Sequence, residues 1–144
     1  MAVDPALTLA EHVCRTTFDA LPASTVSATK RDILDTLGAA LGGSVAPGVA
    51  ELVKVIKHWG GREESSLLLV GGRVPAPQAA MVNATMGHAL DFDDTFDRAG
   101  SIHPGTSVLA ASMAVAEMCG GATGREVVLA AAPGHDVACR VDLA

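Results

Sequence analysis

A chain of 144 residues, 49% of them hydrophobic, fits a single domain and can bury a substantial core. Charged residues make up 18% and aromatics 3%, so the core must be built from small aliphatic side chains, which suits close helix packing. The net charge of -6 with only ten scattered Lys and Arg excludes nucleic acid as the expected partner, because neutralising phosphates takes clustered cations.

A mean hydropathy of +0.36 is high for a small monomer and points to an oligomer or a piece of something larger. Cys14, Cys119 and Cys139 are far apart, odd in number and without a CxxC spacing, so neither a disulfide framework nor a zinc knuckle is expected. They read as small buried apolar residues in a reducing cytoplasm. Asp4 and Glu11 lie where a leader would need basic residues, and no apolar run approaches the roughly 18 residues of a membrane span. Neither export nor membrane insertion is expected.

Thr8 to Glu11 has the spacing of a capping box, with Asp4-Pro5 as an alternative start, and the first helix is expected to run to about Leu21 before Pro22. From Ala23 the apolar positions Val26, Ile33, Leu34, Leu37 and Leu41 share one stripe, predicting a second amphipathic helix that faces the core and stops at Gly42-Gly43. Val49, Leu52, Val53 and Ile56 predict a third, closed by Gly60-Gly61. Leu67 to Val70, between Gly71-Gly72 and two prolines, predicts one short extended segment near residues 66–75. Gln78 to Leu90 is apolar on nearly every face, which predicts a fourth helix buried all round. The fifth starts near Pro104 and ends at Gly120-Gly121; the sixth opens on the capping box Thr123 to Glu126 and should break or kink at Pro133-Gly134. The fold class is therefore all-α, a bundle of about six helices.

Between the fourth and fifth helices lies HALDFDDTFDRAGSIHPG, with four aspartates and two histidines from His88 to His103. Carboxylates so close repel one another, which raises the pKa of the least solvated, and Asp91, nearest the buried helix, is the candidate. His103 precedes Pro104 at a helix start, where the amides of Gly105, Thr106 and Ser107 are free to hold an anion. Three readings stay open on the residues alone. One is a solvated acidic loop. Another is an oxygen-rich site for Mg or Mn from His88, Asp91, Asp93 and Asp94. The third is metal-free acid/base catalysis on a small carboxylic acid. His135, beside Pro133-Gly134, either approaches this site in the fold or belongs to a turn.

HALDFDDT followed by HPG and a helix of small residues resembles the signature segment of the MmgE/PrpD family. LAEHV, LPASTVSATKRDILDTLGAALGGS and GHDVACR resemble family segments in the same order, so the likeness spans nearly the whole chain. The family includes 2-methylcitrate dehydratase, cis-aconitate decarboxylase and iminodisuccinate epimerase. The resemblance implies a lyase or isomerase for small di- or tricarboxylic acids, dimeric through helices and needing no metal or other cofactor. It also implies that residues 1–144 are the first portion of a longer helical domain, a fragment inactive by itself, since the family's further helices and lid bring lysines to the site. By the same resemblance Asp91, Thr95 and His103 are catalytic, with His88 and Asp94 close to the substrate, which Gly105 and Thr106 are expected to bind through the helix-start amides. Gly105 stands where many members of the family carry Ser. The expected partner beyond the substrate is a second copy or the missing part of the enzyme. From another class, the rival expectation is a non-catalytic helical module for dimerisation or partner binding.

Overall fold

The computed structural model describes residues 4–144, and Met1 to Val3 lie outside the described residues. Six α-helices and one two-stranded hairpin follow in chain order: α1 (Pro5–Arg15), α2 (Ala23–Gly43), α3 (Val49–Trp59), β1 (Ser65–Ser66), β2 (Arg73–Val74), α4 (Ala76–His88), α5 (Pro104–Met118) and α6 (Gly124–Asp142). The expected all-helical class stands. No helix among the described residues is long and apolar enough to cross a membrane.

Asp4, not Thr8, opens α1: its carboxylate accepts from the Ala6 amide at 2.9 Å with Pro5 at the first helical position. The helix ends at Arg15, short of Leu21, and one 3-10 turn at Phe18–Ala20 bridges to Pro22. Leu67 to Val70 is likewise not a strand. It forms the turn of an antiparallel hairpin in which Ser65 pairs with Val74 and Ser66 with Arg73. Asn83 of α4 holds that hairpin, accepting from the Leu68 amide at 2.9 Å and donating to the Ser66 carbonyl at 3.0 Å. Behind it Ile56, Leu67, Val82 and Met86 are fully or almost fully buried and form the centre of the core.

The largest departure concerns α2. Its inward face carries Thr29, Thr36, Ala39, Ala40 and Gly43, while Leu34 is 73% and Leu41 62% exposed. Close approach decides which face turns in: a Cβ on Gly43 would overlap the Met86 carbonyl of α4, so only glycine lets the two backbones meet. Gly43 is thus a packing residue within the helix as well as its end. Nor is α4 buried all round, since Met81 is exposed and the helix stops at His88. α6 runs unbroken through Pro133, and Gly134 lets it pass against Val108 of α5. Cys14 and Cys119 are exposed, contrary to the buried role expected, and Cys139 is half-buried.

Candidate functional site

The end of α4, the segment 89–103 and the start of α5 bring the two histidines together. His88 is the last residue of α4 and His103 the residue that precedes α5. Their rings meet edge to face with centroids 4.7 Å apart. A bridge between Phe96 and Ile102, paired through both amides at 2.9 and 3.2 Å, folds the intervening chain back so that His103 returns to His88. The Gly100 amide donates to Asp142 at the end of α6 at 2.9 Å, which pins the tip of that loop.

Asp93 lies at the centre, with its side chain fully buried. His88 Nδ1 stands 3.0 Å from its Oδ1, and because a carboxylate only accepts, that nitrogen carries the proton. Thr106 Oγ1 donates to Oδ2, and His103 Nδ1 lies 3.4 Å from Oδ1, buried and without a hydrogen-bond partner of its own. Burial alone would favour the neutral acid, but the Thr106 hydroxyl and His88 outweigh it and hold the Asp93 carboxyl below its ordinary range. Asp91 is the opposite case. It takes a left-handed conformation with φ of 51°, its side chain is 81% exposed, and its Oδ1 lies 3.6 Å from His103 Nε2. The desolvated carboxylates are therefore Asp93 and Asp94, not Asp91.

Asp94 turns away from the histidines. Both of its oxygens accept from the Gly105 amide at 3.0 Å, so the α5 start expected to hold a ligand anion already has a carboxylate from this chain. Burial, against the help of that amide and with the nearby Asp32 carboxylate, pushes the Asp94 carboxyl up. A Cβ on Gly105 would collide with Asp94, which explains why glycine stands here. Thr106 is buried with its hydroxyl committed to Asp93. Thr95 is exposed and stands outside the His–Asp cluster.

A cleft of about 580 Å³ opens beside the pair, lined by His88, His103, Thr85, Ser107, Ile102 and Ala138 among others. One donor atom from each of His88, Asp91, Asp93 and His103 lies within 4.8 Å of the others, a separation that metal ligands share. Asp94, counted with a metal set in the sequence, belongs instead to a second group with Asp32 and His135. His135 Nε2 stands 2.8 Å from Asp32 Oδ2, and its Nδ1 meets the Ala131 carbonyl at 2.7 Å. Burial works against charge on this ring, yet Asp32 and that carbonyl prevail and its pKa is raised. Asp32 escaped the sequence reading; its only signal was Thr36 one helical turn later, a second polar residue on the same face of α2.

Residues 7–144 match the MmgE/PrpD N-terminal domain. The chain belongs to the MmgE/PrpD family. No curated protein sequence matches it. In this MmgE/PrpD domain the segment from His88 to Gly105 runs from the last residue of α4 through the pinned loop to the start of α5, and its centre of contacts is Asp93.

Proposed function

We propose that this chain supplies the acid/base part of a lyase or isomerase site for small di- or tricarboxylic acids, most like 2-methylcitrate dehydratase, with no metal at the reacting carbon. The observation that supports it is the setting of His103, a residue that lines the cleft: Nδ1 is buried beside the Asp93 carboxylate, while Nε2 lies 3.6 Å from Asp91 Oδ1. An imidazole backed by a buried carboxylate keeps one orientation and is stabilised when it takes up a proton. In this reading His103 Nε2 removes a proton from the carbon next to a substrate carboxylate, and Asp93 balances the imidazolium that results. Asp91 orients that ring or a substrate hydroxyl, and Thr95 donates a hydrogen bond to a substrate carboxylate. His88 faces the same cleft, while Asp94, Gly105 and Thr106 hold the frame behind it.

A substrate with two or three carboxylates calls for positive charge, and no Lys or Arg lines the cleft. The two imidazoles supply part of it. We take the rest to come from another chain or from further parts of a longer enzyme, of which residues 1–144 form the first portion of the helical domain. The test is NMR of the chain with 2-methylcitrate and, separately, cis-aconitate. Ligand-induced shifts of the His88 and His103 ring resonances, together with turnover that falls by about two orders of magnitude or more in His103→Ala, are expected of the active assembly. Turnover that survives in His103→Ala rejects the assignment.

The α2 face favours a second reading. Leu34, Leu90 and the 81% exposed Phe92 line an open apolar groove of about 640 Å³. On this reading the chain is a helical module that associates through that face, and shifts at the histidines should then be absent while light scattering still reports an oligomer.

A further inference from the structure

Behind the histidine pair, α2, α6 and the 89–103 segment bring together four polar side chains, three of which carry a buried atom whose hydrogen bonding does not close. Asp32 Oδ2, Thr36 Oγ1 and His135 Nε2 are all buried without a hydrogen-bond partner, and Thr36 is only 5% exposed. Leaving even one such group buried and unpaired is destabilising. His135 Nδ1 faces the Ala131 carbonyl, an acceptor only, so Nδ1 holds a proton in either charge state and Nε2 is the atom that can give up its proton and coordinate. That atom lies 2.8 Å from Asp32 Oδ2, yet the two do not meet hydrogen-bond geometry. They stand side by side.

Side-by-side donors with a backbone carbonyl fixing the far ring nitrogen are the arrangement of an imidazole prepared to bind a cation. Asp94 completes the group, since one donor atom each of Asp32, Asp94 and His135 lies within 4.8 Å of the others. Tetrahedral bonds of about 2.0 to 2.2 Å set ligand atoms about 3.3 to 3.6 Å apart, inside that limit. The unpartnered Thr36 hydroxyl lies near Asp94: a point one bond from Gly105 Cα lies 2.8 Å from Thr36 Oγ1 and 2.9 Å from Asp94 Cγ. When an ion displaces the Nε2 proton, the two carboxylates leave two negative charges for it to balance.

We infer that Asp32, Asp94 and His135, with Thr36 beside them, form a binding site for a divalent transition-metal cation of the zinc type, distinct from the His88–His103 pair. The mixed nitrogen and oxygen donors favour such an ion over Ca²⁺ or Mg²⁺, which take oxygen alone. Because Asp94 also holds the Gly105 amide, the ion would tie α2 and α6 to the first turn of α5, next to His103 and Thr106. Its role is to fix that turn.

The test is titration of the metal-free chain with Co²⁺, followed by visible absorption and calorimetry. One tight binding event per chain is expected, weakened at least about tenfold in Asp32→Asn and in His135→Gln and unchanged in His88→Gln. Thr36→Val, which keeps the side-chain shape, serves if either of those variants does not fold; it should weaken binding by a smaller factor. Co²⁺ should also raise the melting temperature of the wild type and not that of Asp32→Asn. Absence of binding up to about millimolar Co²⁺, a weak interaction of about 4 kcal/mol, would overturn the site. Binding lost in His88→Gln but kept in Asp32→Asn and His135→Gln would equally overturn it, as would binding that none of these variants affects.

Discussion

Asp93 and His103 face one another across 3.4 Å, the carboxylate fully buried and the imidazole partly so. The same carboxylate accepts hydrogen bonds from His88 Nδ1 and the Thr106 hydroxyl, so one buried charge gathers three side chains at the end of α4 and the start of α5. Asp93→Asn keeps the shape and removes the charge. It should move the ring nitrogen resonances of both histidines, whereas Asp91→Asn should move those of His103 alone; ¹⁵N NMR of the imidazoles distinguishes the two.

The direction of the Asp93 titration sets a pH response. Its folded pKa lies below the ordinary 3.8, so its contribution to stability is fully present above that value and is lost as pH falls through the lower folded one. Thr106→Val removes the principal hydrogen-bond donor that depresses it. Acid unfolding followed by circular dichroism should therefore begin at a higher pH in Thr106→Val than in the wild type, and identical acid midpoints would contradict the role given to this hydroxyl.

Gly105 leaves no room for a side chain, because a Cβ would overlap Asp94 and press on Thr36. Gly105→Ala should destabilise the domain by about 1 to 3 kcal/mol, the usual cost of overpacking. Truncating Asp94 relieves the overlap. Urea denaturation of Gly105→Ala, Asp94→Ala and the double variant should then show a combined loss smaller than the sum of the two.

Leu34 and Phe92 expose apolar surface on the same groove. If that face is a contact between copies, Leu34→Glu and Phe92→Glu should each lower the mass measured by light scattering to that of one chain while leaving the helical circular dichroism intact. An unchanged mass would move the association to another face.

Short-range chemistry was the legible part. The Thr123 to Glu126 box caps α6 as its spacing implied, with the Glu126 carboxylate accepting from the Thr123 amide at 2.7 Å, and Gly60 and Gly120 close their helices with positive φ. Periodicity also located α2 correctly but not its orientation, because it registers apolar spacing and is blind to how near another backbone must come. Gly43 against Met86 decided that, and the leucines turned outward. Pro133 misled for a related reason: a helix held on one side by packed neighbours tolerates a missing amide that would end an isolated one. In the acidic segment the residue types were visible in the sequence, but burial was not. Asp91, at the helix end, emerged into solvent through its left-handed backbone, and Asp93, two residues on, went inside.

The clamp between Gly100 and Asp142 has a consequence for how the domain opens. Asp142 belongs to the last turn of α6, and the amide it accepts from lies in the loop that returns His103 to its place. The two segments, 42 residues apart, are joined at an exposed point and should loosen together as one unit of low local stability. Hydrogen exchange in the final turn of α6 and at Gly100 should therefore rise and fall in step, so that opening of that turn sets how long the histidine pair stays assembled.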